Sequence, residues 1–275
     1  MLLTRITTAL IALPIVVLVV YLGGFWFFAA ALLLALVAGW EFGRMMKVGG
    51  YTTTPLFTLG LIALLILESY RSDLSLRCIF SAVLLLSLGW QLFDGRSRTP
   101  TADWALTLIG GLYIGWGMAH LVALRGLGNG LAWVALAVIS TWAADTCAYL
   151  VGRSLGRHKL WPRHSPKKTW EGLFGGIGGG VLGAAVVAYF VGFGWETAVI
   201  VGLIVPVVAL CGDLSISMMK RHAGVKDSSN LVPGHGGVLD RLDSLLFVNV
   251  VVYYFAVWHG VFSLTTLWAL LISGL

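Results

Sequence analysis

The chain is built from apolar runs about as long as a bilayer is thick, separated by short polar breaks. A helix needs about 20 mostly apolar residues to cross a hydrocarbon core. Nine segments meet or approach that length, at roughly 4–22, 25–47, 55–70, 76–93, 102–124, 130–152, 170–192, 196–219 and 245–272. Of the 275 residues, 59% are hydrophobic and 11% charged, more apolar surface than one soluble core can hide. The expected fold class is therefore all-α, a polytopic membrane protein with about nine transmembrane helices. The first run follows Arg5 and lacks a small-residue cleavage site, so it reads as a helix rather than a signal peptide. Cys78, Cys147 and Cys211 lie in or beside apolar runs, an odd number that argues for free thiols over a disulfide framework.

Basic residues give the orientation. With nine spans, one face carries Arg5, Arg44, Lys47, Arg96, Arg98, Arg153, Arg157, Lys159, Arg163, Lys167, Lys168, Lys220, Arg221, Lys226 and Arg241. The other carries only Arg71, Arg77 and Arg125. The positive-inside rule puts the first face in the cytoplasm, with the N-terminus there and the C-terminus outside. Ten of those fifteen cations fall in two polar cytoplasmic loops, 153–170 and 220–244. The chain divides on this reading into scaffold helices over 1–125, where a homodimer contact could lie, and catalytic helices over 126–275.

Carboxylates inside spans mark the chemistry. Asp145 lies within the sixth run and Asp213 within the eighth. Each costs about 2.5–3.5 kcal/mol at mid-bilayer on insertion scales, so such groups are usually paired or functional. Glu41 reads differently, as an i, i+3 ion pair with Arg44 at a span end. Asp213, Ser217 and Lys220 share one helical face. Asp240, Arg241 and Asp243 precede the ninth run, so Asp213 and Asp240 are expected to meet at the membrane surface. Carboxylates among cations suit a hard divalent ion with phosphates, and oxygen donors favour Mg2+ over zinc. In "RHSPKKTWEG", Ser165-Pro166 reads as a turn, and Lys167, Lys168 and Thr169 lead into a helix N-terminus that attracts phosphate. In "PGHGG", glycines around His235 allow backbone to approach a ligand. Two stripes of small residues spaced by four, Gly172, Gly176, Gly180 with Ala184 and Gly175, Gly179 with Gly183, read as close helix packing. They are compatible with a homodimer or with packing inside one chain. From these residues alone, an anion transporter or a noncatalytic protein remains open beside an enzyme.

The stretch "SMMKRHAGVKDSSNLVPGHGGVLDRLD" (217–243) resembles the signature of phosphatidate cytidylyltransferases, the CDP-diacylglycerol synthases. Ser217, Lys220, Arg221, Lys226, Asp227, Pro233, His235, Gly236, Gly237, Asp240, Arg241 and Asp243 carry the likeness. "DTCAYLVGRSLGRHKL" and "SPKKTWEG" resemble upstream blocks of the same family. The sequence departs from the family pattern at Cys147, commonly Gly, and at Ile216, commonly acidic. The resemblance implies transfer of CMP from CTP to phosphatidate in the inner membrane, with CTP, phosphatidate and the lipid bilayer as partners and no nucleic acid. It implies that Asp213 and Asp240 hold Mg2+ with Asp243 beside them, and that Asp145 reaches the site through a second cation such as K+. Lys220, Arg221, Lys226 and Arg241 neutralise phosphates, Asp227 orients them, and His235 with Gly236 and Gly237 contacts a phosphate. Ser165, Lys167 and Lys168 engage either phosphatidate or the triphosphate, and Ser217 is expected among the substrate-binding residues.

Overall fold

The computed structural model describes residues 2–71, 73–234 and 236–262. Within them are nine helices: α1 (Leu2–Leu22), α2 (Gly24–Val48), α3 (Pro55–Tyr70), α4 (Leu76–Phe93), α5 (Pro100–Gly126), α6 (Gly130–Ser154), α7 (Trp170–Val191), α8 (Trp195–His222) and α9 (Leu239–Phe262). Seven are long and apolar enough to cross a bilayer, while α3 and the Leu10–Leu22 part of α1 are shorter apolar helices. The sixteen residues of α3 rise about 24 Å, short of a hydrocarbon core of about 30 Å. The expected runs thus match the helices closely except the last. Helix α9 begins six residues earlier than expected, and its expected portion past 262 lies outside the described residues.

Contacts at the two poles show that successive helices alternate in direction. At one pole the α2–α3 connection meets the end of α8, where Tyr51 OH and His222 Nε2 are hydrogen-bonded at 2.8 Å. The start of α1 reaches the same pole, with Thr8 Oγ1 donating to Pro233 O. Asp103, buried in the first turn of α5, accepts from Thr52 N on one side and Ser97 Oγ on the other. At the opposite pole Arg125 donates to Val20 O and Tyr21 O at the α1–α2 corner, and Thr197 bonds His259. The two polar connections after α6 and α8 therefore share the first pole.

The glycine stripes of α7 are consumed inside the chain. A Cβ on Gly179 would stand 2.6 Å from Cys147 Sγ and 2.7 Å from Ala143 O on α6. On Gly180 it would meet Pro206 and Gly202 O of α8. Small residues let three backbones approach where no hydrophobic drive separates helix from lipid. The stripe thus presents no bare face to a second copy. Bare Gly179 also explains how Cys147, bulkier than glycine, is accommodated.

Between α6 and α7 lies a short antiparallel hairpin, β1 (Lys159–Trp161) and β2 (Ser165–Thr169), absent from the sequence reading. Ser165-Pro166, expected as a turn, is the start of a strand. Thr169 caps α7 as expected, its Oγ1 accepting from Gly172 N at 3.1 Å. Glu171 in the first turn of α7 pairs with His158 Nδ1 at 2.6 Å and fixes the hairpin base to that helix.

Substituting Gly179→Val should destabilise the detergent-solubilised protein by about 1–3 kcal/mol through overpacking, read as a lower thermal midpoint. Gly178→Ala, with no heavy atom within 4 Å of the added methyl, should not.

Candidate active site

The α8–α9 connection is folded around two carboxylates. Glu41 of α2 is fully buried. It accepts from Leu239 N at 2.7 Å, Val238 N at 3.0 Å, Ser228 Oγ at 3.1 Å and Ser229 Oγ at 2.5 Å. Asp240 accepts from Gly237 N, Ser228 N and Ser228 Oγ on Oδ2, and pairs through Oδ1 with Lys220 Nζ at 2.6 Å. The amides leading into and opening α9, at Gly237, Val238 and Leu239, are all satisfied by carboxylate oxygens, which also complement the helix dipole. This capping is why α9 starts at Leu239 and why Asp240 stands on its first turn, with Asp243 just after it, rather than in a loop. Glu41 is therefore not the surface partner of Arg44, whose guanidinium instead lies 4.8 Å over the Trp40 ring. The only sequence hint was an acidic residue among apolar ones. Its partners are nearly two hundred residues away.

Backbone contact between α8 and α9 brings the remaining carboxylates together. A Cβ on Gly212 would lie 2.4 Å from Asp243 O and 3.1 Å from Ser244 Cα, so only glycine permits this approach. Asp213 follows directly. Its Oδ1 accepts from Ser217 Oγ at 3.2 Å, and its Oδ2 pairs with Lys168 Nζ of the hairpin. Asp145 and Asp243 both lie close enough to Asp213 to interact with it electrostatically.

These groups line a cavity of about 740 Å³ among α6, the hairpin, α7, α8 and α9. Of the expected site residues, Asp145, Ser165, Lys167, Lys168, Asp213, Lys220, Asp227, Asp240, Arg241 and Asp243 line it. Ser217 reaches it through Asp213. Arg221 and Lys226 do not line it; Arg221 is exposed and donates to Val225 O within its own turn. Gly236 and Gly237 serve the loop instead. Gly236 has a φ of +82°, and a Cβ on Gly237 would collide with Ser228 Oγ and the Glu41 carboxylate. His235 lies outside the described residues. Ile216 is fully buried in the apolar core and is not among the cavity residues, so that position serves packing here.

The cavity is layered by position along its helices. On α8 the lining residues run from Pro206 and Leu210, furthest from the first pole, through Asp213 to Lys220 near it, and on α6 from Ala144 and Asp145 to Arg153. The hairpin with Lys168 closes the end at the pole.

The match to known proteins decides what that site belongs to. The model of the cytidylyltransferase family matches residues 3–259. The chain belongs to the cytidylyltransferase family. It is 36% identical over 284 residues to a phosphatidate cytidylyltransferase of Synechocystis sp., covering 92% of this chain and 96% of that protein. It is 36% identical over 250 residues to one from Staphylococcus haemolyticus and 34% identical over 250 residues to one from Staphylococcus aureus. Each of those covers 89% of this chain and 95% of the relative. Family membership thus spans both halves of the chain, including α2, which supplies Glu41.

Gly212→Ala should cost about 10²-fold in kcat/KM, because a shift of about 1 Å at a reacting centre has that effect. Glu41→Ala and Asp240→Ala should each destabilise the detergent-solubilised protein. Asp240→Ala should cost about 3–5 kcal/mol, since it strands the buried Lys220. Their double mutant should fall short of the sum, because both losses fall on Ser228. Thermal or denaturant unfolding measures all three.

Proposed function

We propose that the chain transfers CMP from CTP to phosphatidate, releasing pyrophosphate and forming CDP-diacylglycerol. The observation that carries this reading is the layered cavity, with carboxylates and lysines between an apolar wall and an aqueous mouth. Family membership and the names of the relatives support it. The lipid phosphate oxygen attacks the α-phosphorus of CTP; the bond to the bridging oxygen breaks, and pyrophosphate leaves with the electron pair. The attacking oxygen is already anionic at neutral pH, so the main obstacle is repulsion between two polyanions. Lys168, Lys220 and Arg241 reduce that repulsion, and fixed charges do so best in a site that excludes water. Lys220 is held by Asp240, and Lys168 by Asp213, before any substrate arrives. The acyl chains lie towards Pro206 and Leu210 while the headgroup reaches Asp213.

The cavity's acidic donors fit a hard divalent ion, since they are carboxylates without thiols. Among the described residues no three His, Cys, Asp or Glu side chains already stand together as a ligand set. Mg2+ does not require one, because it is bound by one or two carboxylates completed by phosphates and water. Asp213 and Asp243 are the residues that would hold it, with Asp145 beside them for a second cation such as K+. Asp240, whose oxygens already serve Lys220, Ser228 and Gly237, would contribute only by sharing its carboxylate with Lys220. Bound there, Mg2+ would supply charge neutralisation on the transferring phosphoryl group. The excess of basic residues at the pole that carries the cavity supports an active site facing the cytoplasm from the inner membrane.

With labelled CTP, phosphatidate and magnesium, the purified protein in detergent should yield lipid-linked CMP and pyrophosphate in equal amounts. Asp213→Asn should reduce turnover by at least about 10²-fold with folding intact. Chelation of magnesium should stop the reaction, and readdition should restore it. Folded, magnesium-replete protein that makes neither product would overturn this function.

A further inference from the structure

Four cations that line the cavity, Arg153, Lys159, Lys167 and Arg241, take part in no ion pair among the described residues, and the first three stand on α6 and the hairpin. Lys159 and Lys167 stand on the two strands of the hairpin. Arg153 stands at the end of α6, eight residues or about 12 Å along the helix from Asp145. Asp145, Tyr149 and Arg153 are spaced by four and share one helical face. Arg153 Nη1 donates to Tyr149 OH at 2.9 Å, which directs the guanidinium along that face of the cavity. Neither Tyr149, Arg153 nor Lys159 follows from the signature stretch at 217–243.

The layering indicates which phosphate these cations take. A diacyl lipid enters from the apolar end at Pro206 and Leu210, so its phosphate reaches the carboxylate layer from below. A nucleotide triphosphate arrives from water, passes the hairpin, and must place its α-phosphorus at that same layer. Its β- and γ-phosphates then extend back towards the mouth, where Arg153, Lys159 and Lys167 stand. The leaving group must also exit by this route, because the other end is hydrocarbon.

We propose that Arg153, Lys159 and Lys167 form the docking site for the β- and γ-phosphates of CTP and for the departing pyrophosphate. Tyr149 is the positioning residue that holds Arg153 in place. The inference rests on the cytidylyltransferase reading and adds to it the division of the cavity between its two substrates. Arg153 is the primary contact, since its fork of donors matches phosphate oxygens bidentately.

Steady-state kinetics of the purified full chain, with CTP and phosphatidate varied separately and inorganic pyrophosphate as product inhibitor, provide the test. Arg153→Gln and Lys159→Gln should each raise KM for CTP, and the inhibition constant of pyrophosphate in parallel, by about 10- to 100-fold. KM for phosphatidate should stay within about two-fold of wild type. Arg153→Lys should recover part of the loss. Tyr149→Phe should move the same two constants in the same direction by about 2- to 10-fold, the worth of one neutral hydrogen bond. Unchanged CTP and pyrophosphate constants in Arg153→Gln would overturn the proposal, as would a change confined to phosphatidate, which would assign the cations to the lipid headgroup. Tyr149→Phe with wild-type constants would remove its positioning role. Inactive wild-type protein would count against the cytidylyltransferase reading itself, whereas active wild type with unaffected variants would count only against this docking site.

Discussion

Two buried carboxylates, from helices far apart in the chain, close on one helix start. Glu41 and Asp240 between them accept the amides of Gly237, Val238 and Leu239 and share the hydroxyl of Ser228. At the edge of a bilayer an unsatisfied amide costs several kcal/mol, with little water to relieve it. The clasp therefore determines where α9 begins. That boundary sets the height of Asp240, Arg241 and Asp243 against α8, and with it the arrangement of the site. The same carboxylate that caps α9 holds Lys220 in the cavity wall, so fold and electrostatics depend on one side chain.

Close backbone approach does the rest. Gly212 lets α8 touch α9 beside Asp243, while Gly179 and Gly180 let α7 lie against both α6 and α8. The result is a cavity with carboxylates and lysines towards one end and apolar residues towards the other. Holding the cationic side chains against carboxylates in advance reduces the reorganisation needed when phosphates enter. The Lys168–Asp213 and Lys220–Asp240 pairs are both of this kind. The first half of the chain has a direct share in this arrangement, because α2 delivers Glu41 to the α8–α9 connection.

Much of the site could be read from residue types and spacing. Asp145 and Asp213 stood out because charge is costly in an apolar run, and both line the cavity. Lys167 and Lys168 stood out as adjacent cations before a helix, and both line it too. For other residues sequence proximity is a poor guide to contact. Arg221 and Lys226 sit in the signature stretch but are not among the cavity residues. Gly236 and Gly237 make room for Asp240, Ser228 and Glu41 rather than being among the cavity residues. Glu41 seemed a surface residue because Arg44 was near in sequence. The β1–β2 hairpin was missed because its strands are three and five residues long and carry no period-2 apolar pattern.

The sequence by itself determined the class of fold, the number and approximate ends of the helices, and the pole to which the basic loops belong. Those follow from local quantities: apolar length against bilayer thickness, and charge counted loop by loop. Tertiary structure alone decided that Glu41 supports α9, that the glycine stripes serve packing within the chain, and which of the cavity's cations are held in ion pairs among the described residues. Those depend on which helix faces lie against one another. Packing selects that from distant residues, and no local pattern of apolar and polar residues encodes it.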